Sequence, residues 1–241
     1  MQIERKRNSI EYKVSGKYAL FSDPITRVGG EKCTYQVPTY EAIKGITESI
    51  YWKPTLIWYV DAIRIMKPIQ TESKGVKPIK MNGGNDLSYY TYLRDVEYQV
   101  LAHFEWNMNY PELAKDRNEN KHFDIARRSV AKGGRRDIFL GTRECQGHVE
   151  SCKFGEGAGV YDNYGELAFG LQFHSFGYPN ETGKNELVRR MWQAKMDNGY
   201  IVFPHPEALR PEVIKGWKSE CFVLGKTCQP VDSEPENKEE I

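Results

Sequence analysis

The stretch NENKHFDIARRSVAKGGRR (residues 118–136) decides the fold, because it carries the start, the apolar stripe and the end of one helix. Asn118 or Asn120 can cap the first turn, and the glycine pair at 133–134 is typical of a helix end. Its apolar residues recur at helical spacing: Phe123, Ala126 and Val130. On these grounds we predict a helix over residues 121–132.

The segments around this helix predict strands and one further helix. DVEYQVLAHFEW (95–106) alternates apolar and polar residues as a half-buried strand does, and RRDIFLGTREC (135–145) indicates another strand. Further upstream we predict a strand, a helix, a strand and a long polar loop: 10–21, 37–52, 55–69 and 70–87. The resulting order, β-α-β-β-α-β, is that of a ferredoxin-like split βαβ domain, which RNA-recognition domains also use.

A second, β-rich unit is predicted after residue 144, where glycines become frequent. The run GEGAG (155–159) lacks the Lys-Ser/Thr ending of a phosphate-binding loop, so we interpret it as a hairpin turn. We predict three strands and one short helix ended by Gly199: strands at 167–178, 200–206 and 219–226, and a helix at 184–200. The last twelve residues hold five acids and one lysine, which predicts a disordered tail.

The predicted fold class is therefore α+β. A ferredoxin-like, RNA-recognition-type N-terminal domain spans residues 1–144, and a small antiparallel β-sheet domain spans residues 145–229. The acidic tail occupies residues 230–241.

The composition predicts a folded protein of the cytoplasm. Of the 241 residues 39% are hydrophobic, and 15 Tyr, 10 Phe and 5 Trp can fill a core. The number of cysteines is odd, at five, and the chain is long for a disulfide scaffold, so we expect reduced thiols. The N-terminus has no apolar region typical of a signal peptide, and no apolar run approaches the length of a membrane span.

Positive charge concentrates around the opening stretch. The whole chain has a net charge of +1, but residues 115–136 hold eight Lys or Arg and three acids, an excess of +5. We predict that four of these basic residues bind phosphates: Arg128, Lys132, Arg135 and Arg136. The alternative is that the glycines and the arginines after them form a helix end and a solvated strand start.

Lys121 and His122 are the candidate catalytic residues of the predicted helix. Both can project from its first turn, where free backbone N–H groups and the helix dipole favour an anion such as phosphate. The same field keeps an imidazole neutral, which is the form that a general base needs. A lysine there supplies positive charge for a phosphoryl group. The alternative is a solvated polar helix start.

The sequence gives little indication of a zinc or magnesium site. Cys145 and Cys152, like Cys221 and Cys228, are separated by six residues, where zinc ligands prefer two to four. No carboxylate cluster suggests catalytic Mg²⁺. If the protein cleaves a phosphodiester, the simpler route needs no cofactor, because RNA offers its own 2′-hydroxyl as the nucleophile.

Four long stretches resemble a known family. They are YALFSDPITRVGGEKCTYQVPTYEAIKGITESIYWKPT, ESKGVKPIK, NGGNDLSYYTYLRDVEYQV and DRNENKHFDIARRSVAKGGRRDIFLGTRECQG. They are similar to the subtype I-C (Dvulg-type) CRISPR-associated precursor-RNA endoribonucleases of the RAMP superfamily. The resemblance extends over roughly residues 8–225, and its motifs are long and specific.

The resemblance implies an activity, partners and site residues. It implies metal-independent cleavage of CRISPR repeat RNA at the base of its hairpin, leaving 2′,3′-cyclic phosphate and 5′-hydroxyl ends. The catalytic residues of the family fall on Tyr51, Lys121 and His122. The mature RNA would stay bound in a surveillance complex with other type I-C subunits, and no membrane or cofactor is implied.

Three other functions are alternatives to this one. A non-catalytic scaffold that holds the RNA handle is the first, although it would not require the Tyr51, Lys121 and His122 set. A metal-dependent nuclease acting on DNA would need clustered carboxylates. A general single-strand RNA-recognition domain would need an aromatic pattern on its sheet that DVEYQVLAHFEW lacks.

Overall fold

The computed structural model describes residues 5–24, 26 and 30–216. Three α-helices occur in this part of the chain: α1 (Tyr40–Ile50), α2 (Glu119–Ala131) and the short α3 (Pro179–Thr182). Ten strands accompany them: β1 (Ile10–Ala19), β2 (Leu56–Ile65), β3 (Thr71–Val76), β4 (Ser88–Trp106), β5 (Ile138–Phe139), β6 (Gln146–Ser151), β7 (Glu166–Gly177), β8 (Glu186–Asp197), β9 (Tyr200–Val202) and β10 (Glu212–Gly216). The predicted strand at 219–226, the acidic tail, Cys221 and Cys228 lie outside the described residues.

The ten described strands form one sheet in which every ladder is antiparallel. Its order is β10-β8-β9-β2-β4-β1-β6-β5, with β3 paired to β4 and β7 paired to β8. Strand β4 is central, since its 19 residues pair with β1 on one side and with β2 and β3 on the other. The predicted α+β class is confirmed in this mixed, mostly antiparallel form.

Helices α1 and α2 cover one face of this sheet and bury its core. Each helix turns an apolar stripe inward, which for α1 is Ile43, Ile46 and Ile50, and for α2 is Ala126 and Val130. Trp58 of β2 lies fully buried beneath them, edge-on to Phe104 of β4 with 5.5 Å between ring centroids. Burial of such side chains contributes about 1.5–3 kcal/mol each to folding.

The first correction concerns residues 184–200, where the predicted helix is strand β8. Alternate residues of β8 are buried: Val188, Arg190, Trp192, Ala194 and Met196. This period of two is that of a strand, and β8 pairs with β7 along its length. Helix-forming residues in the segment suggested the wrong period, and pairing with a distant strand outweighed that preference.

Two further corrections concern strand boundaries. The predicted loop at 70–87 contains β3, which pairs with an extension of β4 that begins at Ser88 and not at residue 95. The predicted strand at 135–145 contains only the two-residue β5, and the strand that pairs with β1 is β6. Both errors arise because strand length depends on a partner that the local sequence does not contain.

Among the residues that the structure describes, no helix combines the length and the apolar character that crossing a bilayer requires.

Candidate active site

The end of α1 meets the start of α2, and this places Tyr51 beside His122. Thr39 caps α1 by accepting a hydrogen bond from the backbone N–H of Ala42, and Tyr51 is the first residue after the helix. The indole N–H of Trp58 donates to the carbonyl oxygen of Tyr51 at 2.7 Å, which fixes the backbone there. The local sequence thus ends one helix at the point where the second begins.

Tyr51 and His122 form a buried hydrogen-bonded pair. The distance from Tyr51 Oη to His122 Nδ1 is 2.7 Å, and the two residues are only 1% and 0% exposed. On its other side His122 Nε2 lies 2.8 Å from the backbone carbonyl oxygen of Asp116, which can only accept. Nε2 therefore carries the proton, and Nδ1 accepts from the Tyr51 hydroxyl.

The hydroxyl of Tyr51 keeps its proton near neutral pH. Burial raises the pKa of Tyr51, and the positive charge of Arg135 opposes this rise, while Asp116 adds to it. The Arg135 guanidinium lies over the Tyr51 ring, 4.8 Å from its centroid. Tyr51 is thus a neutral donor whose proton is already directed at an imidazole nitrogen.

Lys121 points away from this pair but is linked to it through Asp116. Its side chain is 50% exposed, and its Nζ lies 2.5 Å from Asp116 Oδ1. The other carboxylate oxygen accepts from the Thr55 hydroxyl at 2.9 Å and lies 3.3 Å from His122 Nε2. The bonds from Lys121 and Thr55 lower the pKa of Asp116, so its carboxylate is charged.

The sequence therefore predicted only some of the residues of this site, and it did not predict the directions of their side chains. Lys121 and His122 were expected to project together beyond the helix end, but His122 turns inward and Lys121 outward. Asp116 and Thr55 were not predicted to belong to the site. Asp116 lies in the DRNENKH motif, which was a usable signal, whereas nothing near Thr55 indicated its contact.

Three of the four predicted phosphate-binding residues line one basic cleft. Lys132, Arg135 and Arg136 border a cavity of about 400 Å³ together with His148. Gly133 and Gly134 have positive φ angles of 82° and 104°, which lets the chain turn sharply after α2. The backbone N–H groups of both arginines then donate to the Ser49 carbonyl oxygen of α1, at 3.3 and 3.2 Å.

Arg128 is not brought into this cleft. It lines a neighbouring cavity of about 510 Å³ between α2 and the start of β1, with Arg127, Phe123 and Asp124. The cavity of Arg128 lies along α2 itself, and the basic cleft lies just beyond the C-terminal end of this helix. A nucleic acid following this helix could reach both.

No three His, Cys, Asp or Glu side chains cluster as metal ligands would in the part of the chain that the structure describes. Cys145 and Cys152 are free thiols, and burial raises the pKa of each, to about 11 for Cys152.

Replacing the cap of α2 tests whether its first turn is part of the site. Asn118 accepts a hydrogen bond from the Lys121 N–H, as Thr39 does from Ala42 N–H in α1. We expect Asn118→Ala and Thr39→Ala each to lower the free energy of unfolding by about 1 kcal/mol. Only Asn118→Ala should also slow the RNA cleavage that the family resemblance implies, by about 10-fold, because it loosens Lys121 and His122.

Urea denaturation and single-turnover cleavage of a labelled repeat RNA measure the two effects. Equal cleavage by the two variants would show that the first turn of α2 has no special role.

Comparison with known proteins gives consistent matches. The family described as CRISPR-associated protein (Cas_Cas5), Cas5d, matches residues 9–204. The chain is 30% identical over 165 residues to the CRISPR pre-crRNA endoribonuclease Cas5d of Mannheimia succiniciproducens, covering 58% of this chain and 71% of the relative. It is 28% identical over 218 residues to the protein of the same name from Thermus thermophilus, covering 86% and 89%.

A solved structure has the same overall form. The structure described as "Crystal Structure of CRISPR-associated Protein" superposes with a TM-score of 0.72 at 35% identity. The match covers 87% of this chain and 97% of that one.

Proposed function

Since this chain belongs to the Cas5d family of CRISPR-associated proteins, we propose that it is an endoribonuclease that cleaves precursor CRISPR RNA within its repeat. Two relatives carry the name CRISPR pre-crRNA endoribonuclease Cas5d. The observation that carries the proposal is the 2.7 Å hydrogen bond between Tyr51 and His122, next to Lys121 on the same turn. These are the residues that the family resemblance assigned to catalysis.

The proposed reaction uses the 2′-hydroxyl of the RNA as its nucleophile. The 2′-oxygen attacks the adjacent phosphorus and the bond to the 5′-oxygen breaks, leaving a 2′,3′-cyclic phosphate and, once water protonates the leaving oxygen, a 5′-hydroxyl. Tyr51 Oη takes the 2′-hydroxyl proton as it passes its own to His122 Nδ1. General acid–base help of this kind contributes about 10²- to 10⁴-fold.

Lys121 and Asp116 have opposite roles in this proposal. The ammonium group of Lys121 stabilises the charge that builds up on the phosphate, which is worth about 10²- to 10³-fold. Asp116 stabilises the imidazolium that forms when His122 receives a proton, since its carboxylate lies 3.3 Å from Nε2. Lys121 must leave Asp116 to reach a phosphate, and Arg135, which lies over Tyr51, must move for RNA to reach the hydroxyl.

We further propose that the basic cleft of Lys132, Arg135 and Arg136 binds RNA phosphates, with Arg128 as an additional contact beyond it. The strand order β6-β1-β4-β2 with α1 and α2 on one face supports a ferredoxin-like N-terminal unit. A small β-rich unit follows it. Because β6 pairs with β1, we propose that the boundary falls after Ser151 and not after residue 144.

We propose that the mature RNA stays bound and that the protein then acts within a type I-C surveillance complex. One observation favours the alternative of a non-catalytic scaffold. Tyr51 and His122 are both buried, and Lys121 already holds a carboxylate. A scaffold would bind the same RNA without cutting it, so cleavage itself distinguishes the two functions.

The test is cleavage of a labelled repeat-hairpin RNA in excess EDTA, beside the same RNA with one 2′-deoxy substitution at the cut site. We expect one cut of the first RNA and none of the second, because the deoxy sugar lacks the nucleophile. A cyclic phosphate end, detected by its resistance to a phosphatase that removes monoesters, should accompany the cut. Cleavage of the deoxy RNA, or loss of cleavage in EDTA, would contradict the mechanism.

A further inference from the structure

We propose that a cavity at the start of α1 is a binding pocket for a guanine base, with Arg190 as the residue that reads it. The cavity has a volume of about 360 Å³ and lies between α1, β7, β8 and residues 206–211. Its size is at the lower end of small-molecule pockets, which are about 300–1,000 Å³. The inference deepens the proposed function, since the base would belong to the bound RNA.

Arg190 is a buried cation that has no ion-pair partner among the described residues. It is only 9% exposed, because it points inward from β8. Its Nε has no hydrogen-bond acceptor, and none of the described carboxylates forms an ion pair with it. Burial of a charged group that is not paired is unfavourable, so the site favours a ligand that supplies acceptors.

The neighbouring arginines differ in the partners of their guanidinium groups, although the Nε of Arg64 is also unpaired. Arg189, the next residue, points to solvent and forms a two-pronged ion pair with Glu212 at 2.9 Å. Arg64 is also buried, but it binds Asp162 at 2.6 Å and two backbone carbonyl oxygens. Arg190 is thus the buried arginine of the described sheet that faces a cavity with its hydrogen bonds unmade.

Gly177 provides the space for this guanidinium. A Cβ atom at Gly177 would lie 2.8 Å from Arg190 Nη1 and 2.7 Å from Val188 Cγ2, which is too close for real atoms. Gly177 itself lines the cavity, so the absence of a side chain there leaves the fork of Arg190 against open space.

The charge balance of the cavity argues against a phosphate. Three basic residues line it, Lys44, Lys184 and Arg190. Three acidic residues line it as well: Glu181, Glu186 and Glu207. Glu181 is held by Lys44 at 2.6 and 2.7 Å, and so is not available to Arg190. An anion entering the cavity would gain one guanidinium but would also face carboxylates.

A guanine base fits the same groups better. It is neutral, and its O6 and N7 are adjacent acceptors in one plane, which match the paired N–H groups of an arginine. Its N1–H and N2 amino groups are donors, which an exposed carboxylate such as Glu207 can accept. Part of the wall is apolar and suits a flat ring: Ile57, Phe176, Val188, Pro206, Leu209 and Pro211. Two tyrosines and two hydroxyl side chains complete the lining: Tyr40, Tyr59, Ser175 and Thr182.

A nucleotide titration tests the pocket apart from any RNA cleavage. The wild-type protein is titrated by NMR with GMP, 7-deaza-GMP, AMP, CMP and inorganic phosphate. We expect GMP to bind and the 7-deaza analogue, which lacks the N7 acceptor, to bind about 10-fold more weakly. Arg190→Lys keeps the positive charge but loses the paired N–H groups of the guanidinium. This variant should therefore bind GMP no more tightly than the wild-type protein binds 7-deaza-GMP.

The matched control is Arg189→Lys, which changes the adjacent, exposed arginine and should bind GMP as the wild type does. Thermal melting of both variants checks that they are folded. Equal binding of GMP and inorganic phosphate would overturn the proposal in favour of a simple anion site. Absence of GMP binding, or equal loss in both variants, would also overturn it.

A second measurement places the pocket on the RNA. Each guanosine of the repeat RNA is replaced in turn by 7-deazaguanosine, and binding is measured with wild type and with Arg190→Lys. We expect one position at which the wild type loses affinity and the variant does not. If the repeat RNA is bound but no position shows this difference, the pocket does not read a base. If the RNA is not bound at all, the proposed function fails, while the GMP titration still decides on the pocket.

Discussion

Replacement of His122 by asparagine is expected to lower the rate of repeat-RNA cleavage by about 10²- to 10⁴-fold. The asparagine side chain keeps an oxygen that can accept the Tyr51 O–H bond, but it cannot take up a proton. His122 is fully buried, so His122→Ala would also leave a cavity and an unpaired hydroxyl. The asparagine variant therefore separates the chemistry from the packing.

Single-turnover cleavage and RNA binding by filter retention measure the effect. Binding should change little, since a 0% exposed side chain makes no direct contact with RNA in this state. His205→Ala, a change at an exposed histidine away from the site, is the control and should cleave as the wild type does. Cleavage within a few-fold of wild type in His122→Asn would rule out His122 as the proton acceptor.

The second large effect is expected from Tyr51→Phe. The phenyl ring keeps the contact with Arg135 but removes the hydroxyl that lies 2.7 Å from His122 Nδ1. We expect cleavage to fall by about 10²- to 10⁴-fold, as for other losses of a general acid–base group. The unfolding free energy should also fall, by about 1–3 kcal/mol, since a buried acceptor loses its donor.

Tyr12→Phe provides a matched control for this stability cost. Tyr12 is fully buried on β1, and its hydroxyl bonds Thr47 Oγ1 at the same distance of 2.7 Å. The two variants should therefore be destabilised to a similar extent, whereas only Tyr51→Phe should lose cleavage. A parallel loss of activity in both would assign the effect of Tyr51 to stability alone.

Helices α1 and α2 were predictable from local chemistry, whereas the short α3 was not predicted. Thr39 and Asn118 are good caps, and the glycines at 133–134 end α2 where the sequence indicated. Strands β3 and β8 were not, because both are defined by pairing with residues distant in the chain. Strand β8 is rich in helix-forming residues, but it pairs with β7 because burial of its alternate side chains in the core outweighs that preference.

In the candidate site, too, some residues were predictable from the local sequence and others were not. Lys121 and His122 stood out because a lysine and a histidine lie next to each other at a helix start. Tyr51 entered through the family resemblance alone, since 71 positions separate it from His122. Its burial, and the carboxylate of Asp116 between Lys121 and His122, depend on how two helix ends meet. Arg190 was interpreted as part of a helix, so its inward direction could not be foreseen.

The length of α1 has a consequence for how this protein would choose a cut. Tyr40, at one end, lines the cavity of Arg190, and Tyr51, at the other, contacts His122. Eleven residues at 1.5 Å each separate the two ends by about 16 Å. A base held at the first end and a phosphate cut at the second would lie a fixed distance apart along the RNA. The length of α1 would then set the distance along the RNA between the recognised nucleotide and the cleaved phosphate.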